Sequence, residues 1–109
     1  MESTKFSLAA TVASVPERDV IGVDIDGRKI ALFKLAGAIF ALQGLCTHGH
    51  AELAGGYLEG DLIQCPMHGG MFEIRTGKAA GAPCTVDLQV FPVKIEGDQV
   101  FVGLPAEGG

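Results

Sequence analysis

Two short segments, Cys46-Thr47-His48 and Cys65-Pro66-Met67-His68, decide how the rest of the chain is interpreted. Each segment offers one thiolate and one imidazole, so that together they supply four ligands to a metal site. Thiolate and imidazole ligands favour zinc, copper or iron over magnesium or calcium. The residue types therefore restrict the metal without deciding it.

The spacing within the first segment bears on whether the site holds one metal ion or two. Paired ligands of a structural zinc site usually have two or more residues between them, because both side chains must converge on one ion. A single residue separates Cys46 from His48, and on an extended segment such side chains point to the same side, nearly two strand steps apart. This favours a two-iron cluster, with both cysteines on the inner iron and both histidines on the outer iron. A structural zinc site is the alternative.

The two segments resemble the ligand motif of the Rieske family, Cys-x-His followed by Cys-x-x-His, in which two histidines replace two cysteines on one iron of a [2Fe–2S] cluster. The resemblance runs from about Ala38 to Val102 and includes Gly81-Ala82-Pro83, which would form a proline-containing loop over the cluster. It implies one Rieske-type [2Fe–2S] cluster, with four ligands: Cys46, His48, Cys65 and His68.

Four positions differ from the Rieske proteins of quinol-oxidising complexes, which this chain also resembles. Those proteins carry a disulfide-bonded cysteine in each loop where this chain has Ala51 and Met67, and a serine and a tyrosine that donate hydrogen bonds to sulfur where it has Gly70 and Phe72. Hydrogen bonds to the sulfurs help to set the reduction potential. Without these donors we predict a reduction potential of roughly −150 mV, near the low end of the Rieske range. We also predict that this potential does not change with pH around pH 7.

Within the family, the chain resembles the small ferredoxins of multicomponent bacterial dioxygenases that hydroxylate aromatic rings, also in Thr76-Gly77-Lys78 and in the ending from Phe91 to Val102. This implies an electron carrier without turnover of its own, acting in aromatic hydrocarbon catabolism. Its partners would be an NAD(P)H-dependent flavin reductase and a terminal Rieske non-haem iron oxygenase. The alternatives are a Rieske component of another reductase or oxidase system, and a zinc-stabilised interaction module.

The expected position of the histidine-bound iron near the surface predicts tip-first docking, with His50 and the loop around Ala82 at the interface with each partner. His50 is then a surface residue rather than a fifth ligand, because four ligands already complete two tetrahedral irons with two bridging sulfides. Cys84 is expected to be a small buried side chain.

Length, composition and charge agree with one globular domain over residues 1–109. The chain is 48% hydrophobic and 19% charged, enough for a modest core. A net charge of −5 without any cluster of Lys or Arg disfavours nucleic-acid binding. The first residues lack the features of a secretory signal, and no apolar run approaches the roughly 20 residues of a membrane span. We therefore expect a cytoplasmic protein without a membrane partner.

Short apolar or alternating runs between glycines and prolines predict an all-β fold. Asp26-Gly27 is the strongest hairpin signal, and Phe33 and Phe40 are predicted core residues. We expect a β-sandwich or barrel base and a small cluster-binding subdomain of two hairpin loops at about 43–84. Further expectations concern four segments: a covering loop at 79–83, a last hairpin pairing 88–95 with 99–102, and a frayed end at 103–109.

Overall fold

Three antiparallel sheets make up the computed structural model, which describes residues 4–45, 52–66, 70–81 and 86–105. The first sheet contains, in spatial order, β1 (Thr4–Thr11), β11 (Gln99–Pro105) and β10 (Val93–Glu96). The second contains β2 (Asp19–Ile25), β3 (Arg28–Leu35), β4 (Ala38–Gln43) and β9 (Val90–Phe91). The third contains β5 (Tyr57–Glu59), β6 (Leu62–Gln64), β7 (Met71–Glu73) and β8 (Ala79–Gly81). The all-β prediction is confirmed.

The second sheet is the middle layer, because apolar clusters cover both of its faces. Along β3 the four residues from Ile30 to Phe33 are all buried, whereas a strand covered on one face alternates between buried and exposed residues. Ile30 and Leu32 belong to the cluster shared with the first sheet, and Ala31 and Phe33 to the cluster shared with the third sheet. The continuous apolar run in this part of the sequence thus reflects a strand with a sheet on either side.

The hairpin predicted at Asp26-Gly27 is confirmed. β2 pairs with β3 without interruption up to this turn, and the φ angles of Asp26 and Gly27 are 53° and 79°. Positive φ at both central residues is what a two-residue hairpin turn of the favoured twist requires. Phe33 is fully buried as predicted. Phe40, its cross-strand partner on β4, is half-buried and packs against the core cluster that contains Phe33, so the prediction that it is a core residue is confirmed in part.

Three expectations for the carboxyl-terminal part are wrong. Residues 79–81, expected to be loop, form β8 and pair with β7. The strand expected over 88–95 is divided at Pro92, which has no amide hydrogen for a ladder, so that β9 joins β4 and β10 joins β11. Residues 103–105 do not fray, because β11 continues alongside β1 and buries Leu104.

The described helices are two short 3₁₀ turns, Val12–Ser14 and Leu53–Gly55. Within the described residues, no helix has the length and apolar character needed to cross a membrane. The second of these turns matters for the site, because it follows directly after the segment that contains two of the predicted ligands.

Candidate metal centre

Of the four predicted ligands, Cys65 falls within the described residues. It follows β6 and is 2% exposed, in the same apolar cluster as Ile63 and Phe72. The other three predicted ligands, Cys46, His48 and His68, lie outside the described residues. The same holds for six further positions named in the sequence analysis: His50, Ala51, Met67, Ala82, Pro83 and Cys84. The structure therefore bears on the site through the segments that frame these residues.

The chain enters and leaves residues 46–51 at one place in the fold. Leu45 and Glu52 form an antiparallel bridge, and the Leu53 amide donates a hydrogen bond of 2.8 Å to the Gly44 carbonyl. The Gly44 amide in turn donates to the Lys29 carbonyl at 2.8 Å, which ties this point to the start of β3. The segment that carries Cys46 and His48 thus begins and ends side by side on the second sheet.

Residues 67–69 are framed in the same way. β6 and β7 pair up to Gln64 and Met71, and the Cys65 amide then donates a hydrogen bond of 2.7 Å to the Gly70 carbonyl. Cys65 is therefore held at the entrance of this segment by its own backbone. His68 belongs to a short connection whose two ends are joined.

Described residues on the exit side of the first segment and on the entrance side of the second contact each other at Gly56. A Cβ atom placed on Gly56 would lie 2.2 Å from the Gln64 carbonyl oxygen and 3.2 Å from the Leu53 carbonyl oxygen, so a side chain at this position requires the backbone to move. Gln64 directly precedes Cys65, and Leu53 follows the first segment. The exit of the first segment is therefore in contact with the entrance of the second, as a site built from both would require. The sequence interpretation missed this role, although a glycine pair was visible at positions 55 and 56.

A third segment, residues 82–85, is framed by bonds that the sequence did not suggest. The Ala79 amide donates to Oδ1 of Asp87 at 2.9 Å, and the Leu88 amide donates to the Gly77 carbonyl at 2.7 Å. Gly77 has a φ of 78°, and a Cβ there would lie 2.6 Å from the Leu88 carbonyl oxygen. The residues that flank this segment, which includes the last two positions of the covering loop predicted at 79–83, are thereby joined to each other next to the third sheet.

The described residues fit an iron–sulfur cluster in their chemistry. Cysteine thiolates and histidine imidazoles are the ligand set of a Rieske cluster, and Cys65 lies in apolar surroundings from which water is excluded. Phe72 is fully buried and has no hydroxyl group, and the Gly70 carbonyl is occupied by the Cys65 amide. Among the residues that the structure describes, no group of three or more His, Cys, Asp or Glu side chains could hold a metal ion.

Comparisons with known proteins agree with this chemistry. The model of the Rieske [2Fe-2S] domain family matches residues 5–92. The ferredoxin component of the naphthalene 1,2-dioxygenase system of Pseudomonas aeruginosa is 45% identical over 100 residues, which cover 92% of this chain and 96% of the relative.

Two solved structures share the fold over nearly their whole length. The Sphingomonas yanoikuyae B1 ferredoxin has a TM-score of 0.88 at 36% identity, covering 93% of this chain and 100% of the other. The ferredoxin solved in a complex of reduced oxygenase and oxidized ferredoxin in carbazole 1,9a-dioxygenase has a TM-score of 0.84 at 35% identity, covering 89% of this chain and 91% of the other. The chain belongs to the Rieske [2Fe-2S] domain family.

Proposed function

We propose that this chain is the ferredoxin component of an aromatic-ring dioxygenase system. It takes single electrons from an NAD(P)H-dependent flavin reductase and delivers them to a terminal Rieske non-haem iron oxygenase. The observation that carries this proposal is the 45% identity, over 92% of the chain, to a ferredoxin component of such a system. The similarity to a ferredoxin solved together with its oxygenase supports the second partner.

The cofactor is a Rieske-type [2Fe–2S] cluster. We assign four ligands to it, with the thiolates of Cys46 and Cys65 on the inner iron and the imidazoles of His48 and His68 on the outer iron. When bound, the cluster supplies one-electron redox chemistry without turnover of a substrate. The described residues hold Cys65 at the entrance of its segment and bury it, since the residue is 2% exposed.

The chain's own residues favour a low reduction potential. Phe72 offers no hydroxyl group from its buried position, and Gly70 offers no side chain. Since hydrogen bonds to sulfur stabilise the more negative reduced state, their absence at these two positions leaves the potential near the low end of the Rieske range, at roughly −150 mV. Such a potential suits a carrier supplied by NAD(P)H.

We further propose one domain over residues 1–109, with the cluster-binding subdomain at about 43–84. The third sheet occupies the middle of that range and shares an apolar cluster with the second sheet. Because the expected electron donor uses NAD(P)H, we place the protein in the cytoplasm. The net charge of −5 suits docking to basic patches on its partners.

The proposal is tested by electron transfer from the reduced protein to the oxygenase of a naphthalene dioxygenase system, measured by stopped-flow absorbance. We expect rapid transfer, and transfer about tenfold slower in variants His50→Glu and Ala82→Glu with unchanged cluster spectra. The matched control is Leu8→Glu, which places the same charge on the first sheet, where Leu8 is 55% exposed.

Two results would contradict parts of this account. If His50→Glu, Ala82→Glu and the control transfer electrons at the same rate, the docking face is wrong. If the unmodified protein reduces no dioxygenase oxygenase but reduces another oxidase, the chain is a Rieske component of a different system.

A further inference from the structure

Gln43, the last residue of β4, joins two segments that frame the candidate metal centre. Its amide nitrogen Nε2 donates a hydrogen bond of 2.8 Å to the Leu45 carbonyl, and its oxygen Oε1 accepts one of 2.7 Å from the Gln89 amide. Leu45 directly precedes Cys46. Gln89 lies on the return from residues 82–85. One side chain thus bonds to the start of the first framed segment and to the chain that follows the third.

The side chain of Gln43 completes a strand pairing that the backbone leaves half-made. β4 and β9 pair through Ala41 with Phe91 and Leu42 with Val90, and the next backbone bond runs from the Gln43 amide to the Gln89 carbonyl at 2.9 Å. In a regular antiparallel pair the Gln89 amide would donate back to the Gln43 carbonyl. Here it donates to Oε1 instead, at the point where the backbone leaves the sheet toward Cys46.

A primary amide is the group that satisfies both partners. The Gln89 amide is a donor and needs an acceptor, whereas the Leu45 carbonyl is an acceptor and needs a donor. These two backbone partners also fix which end of the Gln43 amide faces which segment. A carboxylate at position 43 would keep the bond from the Gln89 amide and lose the bond to the Leu45 carbonyl. An unbranched apolar side chain would lose both bonds.

We propose that Gln43 is a positioning residue for the metal centre, which holds the segment carrying Cys46 and the return from residues 82–85 at a fixed separation. This inference rests on the proposed ligand assignment. The residue does not itself touch a ligand side chain in the described part of the structure; it acts through the Leu45 and Gln89 backbones. Gln43 and Gln89 are 46 positions apart, and no local sequence pattern indicates a bond between them.

The surroundings of Gln43 make the proposal testable without unfolding the protein. The side chain is half-buried and borders an open groove of about 360 Å³, which Leu45, Gln89 and Phe91 also line. Water can reach the backbone groups that a substitution leaves unpaired, and the two apolar clusters are unaffected because Gln43 belongs to neither. Variants are therefore expected to remain folded while the two segments separate.

The experiment compares Gln43→Met, Gln43→Glu and the control Gln89→Met by hydrogen–deuterium exchange of the cluster-loaded proteins, read on residues 44–53 and 86–91. Gln89→Met removes the exposed side-chain amide of Gln89. It keeps the backbone N–H of residue 89, which donates to Oε1 of Gln43. We expect Gln43→Met to speed exchange about tenfold in both segments, as the loss of one or two partly exposed hydrogen bonds predicts. Gln43→Glu should speed exchange in 44–53 alone, and Gln89→Met in neither.

The electron paramagnetic resonance spectrum of the reduced proteins separates a positioning role from a purely structural one. Shifted g values in Gln43→Met, with unchanged values in Gln89→Met, are expected. Exchange that is unchanged in Gln43→Met, or that rises equally throughout the chain, overturns the inference while leaving the ligand assignment intact. An unmodified protein without the signal of a His₂-ligated cluster overturns the assignment, and the inference with it.

Discussion

The first two sheets and the third sheet are stabilised in different ways. β1 and β3 each have eight residues, and the first and second sheets bury an apolar cluster between them. The strands of the third sheet have three residues each, and this sheet packs against the second through one shared cluster. Close glycine contacts and single backbone bonds join it to the residues that flank the predicted ligand segments. The first two sheets thus form a base of longer strands, whereas the third sheet positions the residues on either side of those segments.

The largest effects should come from the two fully buried phenylalanines, Phe33 on β3 and Phe72 on β7. Replacing either by alanine removes a large core side chain, and we expect each variant to lower the free energy of unfolding by about 3–5 kcal/mol. Phe72→Ala should also lose iron faster, because Phe72 lies opposite Ile63 on β6, the strand that leads to Cys65, whereas Phe33 reaches the same cluster from the second sheet. Denaturant unfolding and iron content at low temperature measure the two effects. Equal iron loss in both variants would remove the distinction between the regions.

Gly56→Ala should disturb the close contact of Gly56 with Gln64, the residue that precedes Cys65. The new Cβ would lie 2.2 Å from the Gln64 carbonyl, so we expect the segments to separate, with a loss of about 1–3 kcal/mol in stability and faster release of the cluster. Gly55→Ala is the matched control, because a Cβ there would meet only Pro66 Cγ at 3.9 Å, an ordinary contact. Thermal release of the cluster, followed by its visible absorbance, should be accelerated in the first variant alone.

Glu17→Gln is expected to affect the base without affecting the site. The Glu17 carboxylate accepts hydrogen bonds from the Ala36 and Gly37 amides at the turn between β3 and β4, at 2.5 and 3.0 Å. An amide retains only one acceptor oxygen, and the loss of one such bond should lower stability by about 0.5–1.5 kcal/mol. Chemical denaturation gives this value. A change in the cluster spectrum of this variant would show that the base and the site are not separable.

The smallest effect is expected at Arg75, which links the third sheet to the second. Its guanidinium carbon lies 5.2 Å from the centre of the Phe40 ring, and its Nε lies 3.1 Å from the Asp61 carboxylate. Because these contacts are exposed, Arg75→Met should lower stability by about 0.5–1 kcal/mol.

A matched control for Arg75 exists on the first sheet. The Nζ atom of Lys94 lies 5.8 Å from the centre of the Phe6 ring and 3.2 Å from a carboxylate oxygen of Glu96. Lys94→Met should have a similar small effect on stability. Only Arg75→Met should shorten the lifetime of the bound cluster, so equal lifetimes would mean that the link between the two sheets does not support the site.

Local signals in the sequence predicted the parts of the fold that local chemistry determines. The Asp26-Gly27 turn needs positive φ at two adjacent positions, and these two residue types tolerate it. The metal site was predicted because the spacing of its cysteines and histidines is itself the chemical signal. Its assignment of four ligands remains a prediction.

The missed features depend on contacts between distant residues. The division of the last predicted strand at Pro92 sends β9 to the second sheet and β10 to the first, a choice between partners that a run of apolar residues does not record. The bond between Gln43 and Gln89 likewise follows from the pairing of β4 with β9. Pro92 itself was a usable signal, because proline in a strand marks an interruption of the ladder.

Electron paramagnetic resonance can decide whether Cys46, His48, Cys65 and His68 hold a two-iron cluster. The protein would be purified without added metal, reduced with dithionite and measured at low temperature. We expect a rhombic signal with the low average g value of a cluster with two histidine ligands. A colourless, silent sample that contains zinc would contradict it, and the protein would then be a zinc-stabilised interaction module.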